Sequence, residues 1–119
     1  MKLGLDHIQI AIPEGQEDLA RAFWCDALGL PEIAKPQALV ARGGLWVQLD
    51  GLELHLGVDP SFTPAKKAHP GFLVTDIDHV AQRIASTGQE PTWDSTIKNR
   101  RRFFAEDPFG NRLEFLQKD

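Results

Sequence analysis

The chain has 119 residues, a net charge of −4 and a pI near 5.5. Apolar residues make up 42% of it, enough for the core of one domain, and the acidic balance excludes nucleic acid as the main partner. No apolar run approaches the length of a membrane span, and the N-terminal residues alternate polar and apolar, unlike a signal peptide. The single cysteine, Cys25, allows no internal disulfide, so a cytoplasmic location is expected.

Residues 3–12 alternate as a strand. Ile8, Ile10 and Ile12 fall on one face, and Leu5, His7, Gln9 and Ala11 on the other. Pro13 and Gly15 stop it. A helix is expected from about Gln16 to Leu28, with Leu19, Phe23, Ala27 and Leu30 as its apolar stripe and Gly29 at its end. Extended segments follow at about 38–42, 44–49 and 51–57, and Asp50-Gly51 marks a two-residue hairpin between the last two. Residues 58–67 are a turn-rich connector.

The pattern then restarts. Residues 68–74 read as a strand with His69, Gly71 and Leu73 on one face. Thr75 to Ser86 reads as a helix, with Thr75 and Asp78 in a capping-box arrangement and Ile77, Val80 and Ile84 as its stripe. Residues 91–97 suggest a weak strand. Residues 101–106 and 111–117 form a strand pair joined by the turn Asp107-Pro108-Phe109-Gly110. Two modules, 1–57 and 68–119, within a single domain account for this order.

His7 falls on His69 when the halves are overlaid, and Glu53 falls on Glu114, which leaves His55 opposite Leu116. From His to Glu is 46 residues in the first half and 45 in the second, the mark of a repeated structural unit. In each half the apolar side of the strand faces the helix and the titratable group faces away. Converging carboxylates repel unless a cation lies between them. Two imidazoles and two carboxylates suit a borderline divalent ion such as Zn, Ni, Co, Mn or Fe(II). A lone strand His or Glu is more often structural or solvated; two pairs at matched spacing favour a metal site.

The segments LDHIQIAI, ARAFWCDALGL, LELHLGV, AHPGFLV and above all FFAEDPFGNRLEFL resemble the vicinal oxygen chelate superfamily, the group of glyoxalase I, fosfomycin resistance proteins, extradiol dioxygenases and bleomycin resistance proteins. The resemblance covers essentially the whole chain. It implies an α+β fold of two βαβββ modules whose mixed sheets curl into a cleft around a metal. Its metal ligands map onto His7, Glu53, His69 and Glu114, with His55 as an alternative for the Glu53 position. It also implies a homodimer, with sites at or near the interface.

No single activity of that family is selected. Ala11 and Gly57 stand where glyoxalase I carries glutathione-binding Arg and Asn. The chain has no tyrosine, the catalytic residue of extradiol dioxygenases, and Gln9 replaces the Thr of fosfomycin-modifying members. The expectation is a metal-dependent lyase, isomerase or transferase acting on a small oxygenated substrate. Glu114 or Glu53 would be its general base, and Gln9, His55, Arg102 and Arg42 would bind the substrate. The alternative is a non-enzymatic small-molecule binding or antibiotic resistance protein using the same cleft.

Overall fold

A computed structural model describes all residues, 1–119. The chain divides into two compact units, Met1–Thr63 and Pro64–Asp119. Each holds one helix-covered, four-stranded mixed sheet, so the architecture is α+β with two βαβββ-like modules.

In the first unit, β1 (His7–Ile12) leads into a helix, followed by β2 (Glu32–Ile33), β3 (Leu45–Gln48) and β4 (Glu53–Val58). The strand order is β1-β4-β3-β2, with β1 parallel to β4 and the other pairs antiparallel. Alternation sets the two faces. Ile10, Ile12, Leu45, Val47, Leu54 and Leu56 are buried against Ala20, Phe23 and Trp24 of the helix. Complete burial of a large apolar side chain stabilises by roughly 1.5–3 kcal/mol, so this layer is the main source of the unit's cohesion. His7, Gln9, Trp46, Gln48, Glu53 and His55 are left for the opposite face.

The helix begins as α1 (Glu17–Arg21) and continues as a π-helical stretch, Ala22–Ala27. The wider turn rotates the buried stripe onto Ala20, Phe23 and Trp24 and leaves the expected Leu19 47% exposed. Gly29, at φ 74°, ends it as expected. Residues 38–42 are not extended. Pro36, at φ −53°, opens a 3-10 helix at Gln37–Arg42, closed by i to i+3 bonds such as Leu39 N–H to Pro36 O at 2.8 Å. An Ala-Leu-Val-Ala run looks strand-like by composition, but the preceding proline favours a turn. Glu32–Ile33 supplies the fourth strand instead. The Asp50-Gly51 hairpin forms, with Leu49 N–H bonded to Leu52 O and Gly51 at φ 84°.

In the second unit, β5 (Gly71–Val74), α2 (Ile77–Ser86), β6 (Thr92–Asp94), β7 (Arg102–Glu106) and β8 (Arg112–Gln117) follow in order. The sheet order is β5-β8-β7-β6, again with one parallel pair, β5 with β8. Ile77, Ala81 and Ile84 bury against Phe103, Ala105, Leu113 and Phe115, and the Phe103 and Phe115 rings stack at 4.9 Å. The strand at 68–74 is shorter than expected. Pro70 has no N–H to donate, so pairing begins at Gly71 and His69 lies just ahead of it. The helix is capped by Asp76, whose carboxylate accepts from His79 N–H, rather than by Thr75.

The 107–110 turn is built around a buried carboxylate. Asp107 Oδ1 accepts from the Phe109 and Asn111 N–H groups, both at 2.9 Å, and Oδ2 accepts from Asn111 Nδ2 at 2.8 Å. Burial pushes the Asp107 carboxyl above the usual aspartate range against the pull of those bonds. Part of the expected connector also belongs to this turn: Asn111 Oδ1 accepts from Ala65 N–H, and Lys66 reaches Glu106 and the Gly110 carbonyl.

Candidate functional site

The candidate site residues singled out above fall into two groups, one per unit. His7, Gln9, Arg42, Glu53 and His55 all line one cavity of the first unit, about 580 Å³ in volume, with Asp6, Lys35, Leu39 and Trp46 among its other walls. His69, Arg102 and Glu114 form a cluster in the second unit.

In the first unit, register places His7 beside Glu53 and Gln9 beside His55 on the parallel pair, and Trp46 beside His55 on the hairpin. His7 and Glu53 are thus the first residues of their strands rather than mid-strand. The His55 ring lies between two others: Trp46 stacks on it at 3.7 Å and His7 at 4.2 Å. His55 is 6% exposed, and its Nε2 meets Glu53 Oε1 at 2.9 Å. His7 Nδ1 meets Asp6 Oδ2 at 2.9 Å, so the acidic neighbour orients the ring through that nitrogen. The Gln9 amide lies flat over Gly57, where a Cβ would stand 2.8 Å from Gln9 Cδ.

In the second unit, His69 Nε2 meets Glu114 Oε1 at 3.0 Å and Arg102 donates to Glu114 Oε2 at 2.9 Å. Arg102 also donates to Asp94 at 3.2 Å and lies over the Phe104 ring. Burial raises the Glu114 carboxyl, but the bonds and charges of His69 and Arg102 outweigh it and hold Glu114 below the usual glutamate range. His69 Nδ1 lies 2.8 Å from the Lys67 carbonyl. A carbonyl only accepts, so Nδ1 carries a proton. Nε2 is the ring nitrogen that faces the carboxylate.

Strand pairing changes how the halves correspond. β4 and β8 share one burial sequence, with the third residue of each buried, and these third residues are His55 and Glu114. Gln9 pairs with His55 and Gly71 pairs with Glu114, so this overlay keeps His7 on His69. Glu53 then corresponds to Arg112 instead of Glu114. Paired partners are 46 residues apart in His7–Glu53 and 43 apart in Gly71–Glu114, so near-equal sequence spacing concealed a shift of register.

The donor types suit a borderline divalent ion: imidazoles and a carboxylate, each already oriented by a second partner. Nowhere do three His, Cys, Asp or Glu side chains gather as a ready-made cage. Trp46 and Lys35 were not identified as site residues from sequence. The Asp50-Gly51 hairpin does carry the signal for Trp46, because a two-residue loop sets it opposite His55. Nothing comparable announces Lys35, which reaches the cavity through an irregular segment.

Known proteins bear out the family resemblance. The Glyoxalase/Bleomycin resistance protein/Dioxygenase superfamily profile matches residues 4–115. No curated protein matches the sequence. A crystal structure of a protein from Bacillus anthracis assigned to the glyoxalase family is 43% identical, with a TM-score of 0.93 over 100% of this chain and 98% of that one. The fosfomycin resistance protein FosX of Listeria monocytogenes shares the fold at 18% identity and a TM-score of 0.78, covering 100% of this chain and 96% of its own. The lactoylglutathione lyase of Agrobacterium tumefaciens does so at 18% identity and a TM-score of 0.68, covering 92% and 91%. Profile, end-to-end superposition and paired βαβββ-like modules agree: the chain belongs to the glyoxalase/bleomycin resistance protein/dioxygenase superfamily.

Proposed function

We propose that the chain is a divalent-metal-dependent enzyme, a lyase, isomerase or transferase acting on a small oxygenated molecule. The observation that carries this reading is that each unit sets a histidine against a second donor, His7 stacked on His55 in the first and His69 bonded to Glu114 in the second. His7, His69 and Glu114 are the proposed ligands. Register favours His55 as the fourth, with Glu53 as its hydrogen-bonded carboxylate. When bound, the ion would act as a Lewis acid toward a substrate oxygen.

The remaining roles follow from the side chains themselves. Glu114 is pinned by His69 and Arg102 and serves to hold charge rather than to move protons. Glu53 lines the cavity, keeps 38% of its side chain exposed and has one hydrogen-bonding partner, His55. It is the better general base, because a carboxylate with room to turn can take a proton from a substrate in the cavity. Gln9, held across Gly57, presents an amide that can accept and donate to a substrate oxygen or hydroxyl. Trp46 fixes the His55 plane by stacking.

A homodimer completes the proposal. Leu5 and Leu73 are 73% and 60% exposed, as apolar residues awaiting a partner surface would be. Sedimentation should give twice the chain mass. For the activity, protein purified without chelators is analysed for metal, loaded with Ni, Zn, Mn or Fe, and screened against dicarbonyls, epoxides and catechols with and without thiol. Turnover that requires the ion and falls about 100-fold or more in Glu53→Gln, with metal retained, supports the reading. Metal-independent turnover would sink it.

A further inference from the structure

The cavity of the first unit is electrically lopsided along its length. Asp6, His7, Glu53 and His55 line it near the start of β4, and Lys35, Arg42 and Gly43 line it near the end. Two contacts fix that direction. A Cβ on Gly43 would stand 3.2 Å from Val58 Cγ2, and Lys35 Nζ donates to the Gly43 carbonyl. β4 runs from Glu53 to Val58, about 16 Å at roughly 3.3 Å per residue. The acidic and imidazole groups and the two cations therefore sit at opposite ends of a cavity wide enough for one small ligand. Leu39 adds apolar wall.

The arginines of the chain differ in how far their charge is already used. Arg102 is engaged by Glu114 and Asp94. Arg21 is engaged by Asp18 and Glu32, and Arg101 by Asp78. Lys35 shares its surroundings with Glu17, whose carboxylate is held below the usual range first by the Gly44 N–H bond at 2.9 Å and further by Arg21 and Lys35. Arg42 is exposed at the cavity wall with no carboxylate in ion-pairing reach. A guanidinium in that position presents paired N–H donors in the geometry a carboxylate or phosphoryl group accepts.

We propose that Arg42, assisted by Lys35, is the subsite for the anionic end of the substrate, so that the cavity selects a small organic acid or phosphoryl compound. Its anionic group lies toward Val58 and its reacting oxygen toward His7 and His55. This rests on the reading of the cavity as the substrate site and narrows the substrate class within it. Of the two arginines expected to neutralise a substrate, it assigns the task to Arg42 and leaves Arg102 to hold Glu114.

The test is NMR titration of the full chain, with and without zinc, using butyrate, butyramide and inorganic phosphate. Amide shifts at Gly43 and Gly44 and the Trp46 indole signal report binding. Butyrate, phosphate or both should bind, and butyramide should not. Whichever anion binds assigns the carboxylate or the phosphoryl class. Arg42→Gln should weaken that binding about tenfold or more, Arg42→Lys should fall between, and Arg83→Gln on α2 should match the unaltered chain. Equal binding of butyrate and butyramide, no binding of either anion, or unchanged affinity in Arg42→Gln would overturn the subsite. Zinc uptake is measured on the same samples. Anion binding without zinc uptake upholds the subsite while removing the metal reading, and zinc uptake without anion binding does the reverse.

Discussion

Glu114 shows how one side chain is set by what surrounds it. Burial alone would favour its protonated form, but His69 and Arg102 reverse that and keep it a carboxylate. Its folded pKa lies below its unfolded value. Its contribution to stability is therefore complete above the ordinary glutamate range, roughly pH 4.3, and is lost as pH falls through the folded value. Unfolding of the metal-free protein between acid and neutral pH should show this loss, and Glu114→Gln should flatten it; an unchanged acid slope in the variant would remove the assignment. Asp107 works differently, as a buried acceptor for two backbone N–H groups and one side-chain amide. Asp107→Ala strands those donors and should cost about 3 kcal/mol in urea unfolding. A loss under about 1 kcal/mol would mean that water replaces the carboxylate freely.

At the scale of elements, alternation and turn chemistry made most of the fold legible. The inward and outward faces of β1, β3, β4 and β7 follow the period of two read from the sequence, and Asp50-Gly51 and Asp107–Gly110 turn where their residues require. What was hidden came from backbone irregularity. A π-helical stretch moved the first helix's stripe off Leu19, Pro36 turned an apolar run into a 3-10 helix, and a three-residue difference in pairing offset matched Glu53 with the wrong partner. None of these leaves a periodic trace. Gly44 marks another such place. It sits at φ 80°, and a Cβ there would stand 2.2 Å from the Leu56 carbonyl oxygen. Gly44→Ala should therefore destabilise by about 3 kcal/mol or more. Gly29→Ala, at a similar φ but with open space around it, should cost only about 1–2 kcal/mol. Equal thermal shifts for the two variants would show that crowding against β4 contributes nothing.

For the molecule as a whole, the family and the candidate ligands could be read from sequence, because the strand histidines and the closing FFAEDPFGNRLEFL segment are local patterns. The correspondence of His55 with Glu114 could not, because it depends on register across parallel pairs that are distant in sequence. Each unit brings an imidazole together with a second donor. The direct measurement is zinc affinity by competition with a chromophoric chelator for the unaltered chain, His69→Ala, His55→Ala, Glu53→Gln and His79→Ala. We expect about one ion per chain, affinity falling 100-fold or more in His69→Ala and His55→Ala, about 10-fold in Glu53→Gln, and not at all in His79→Ala. Zinc bound well below one equivalent, or lost equally in His69→Ala and His79→Ala, would contradict a metal centre at these residues.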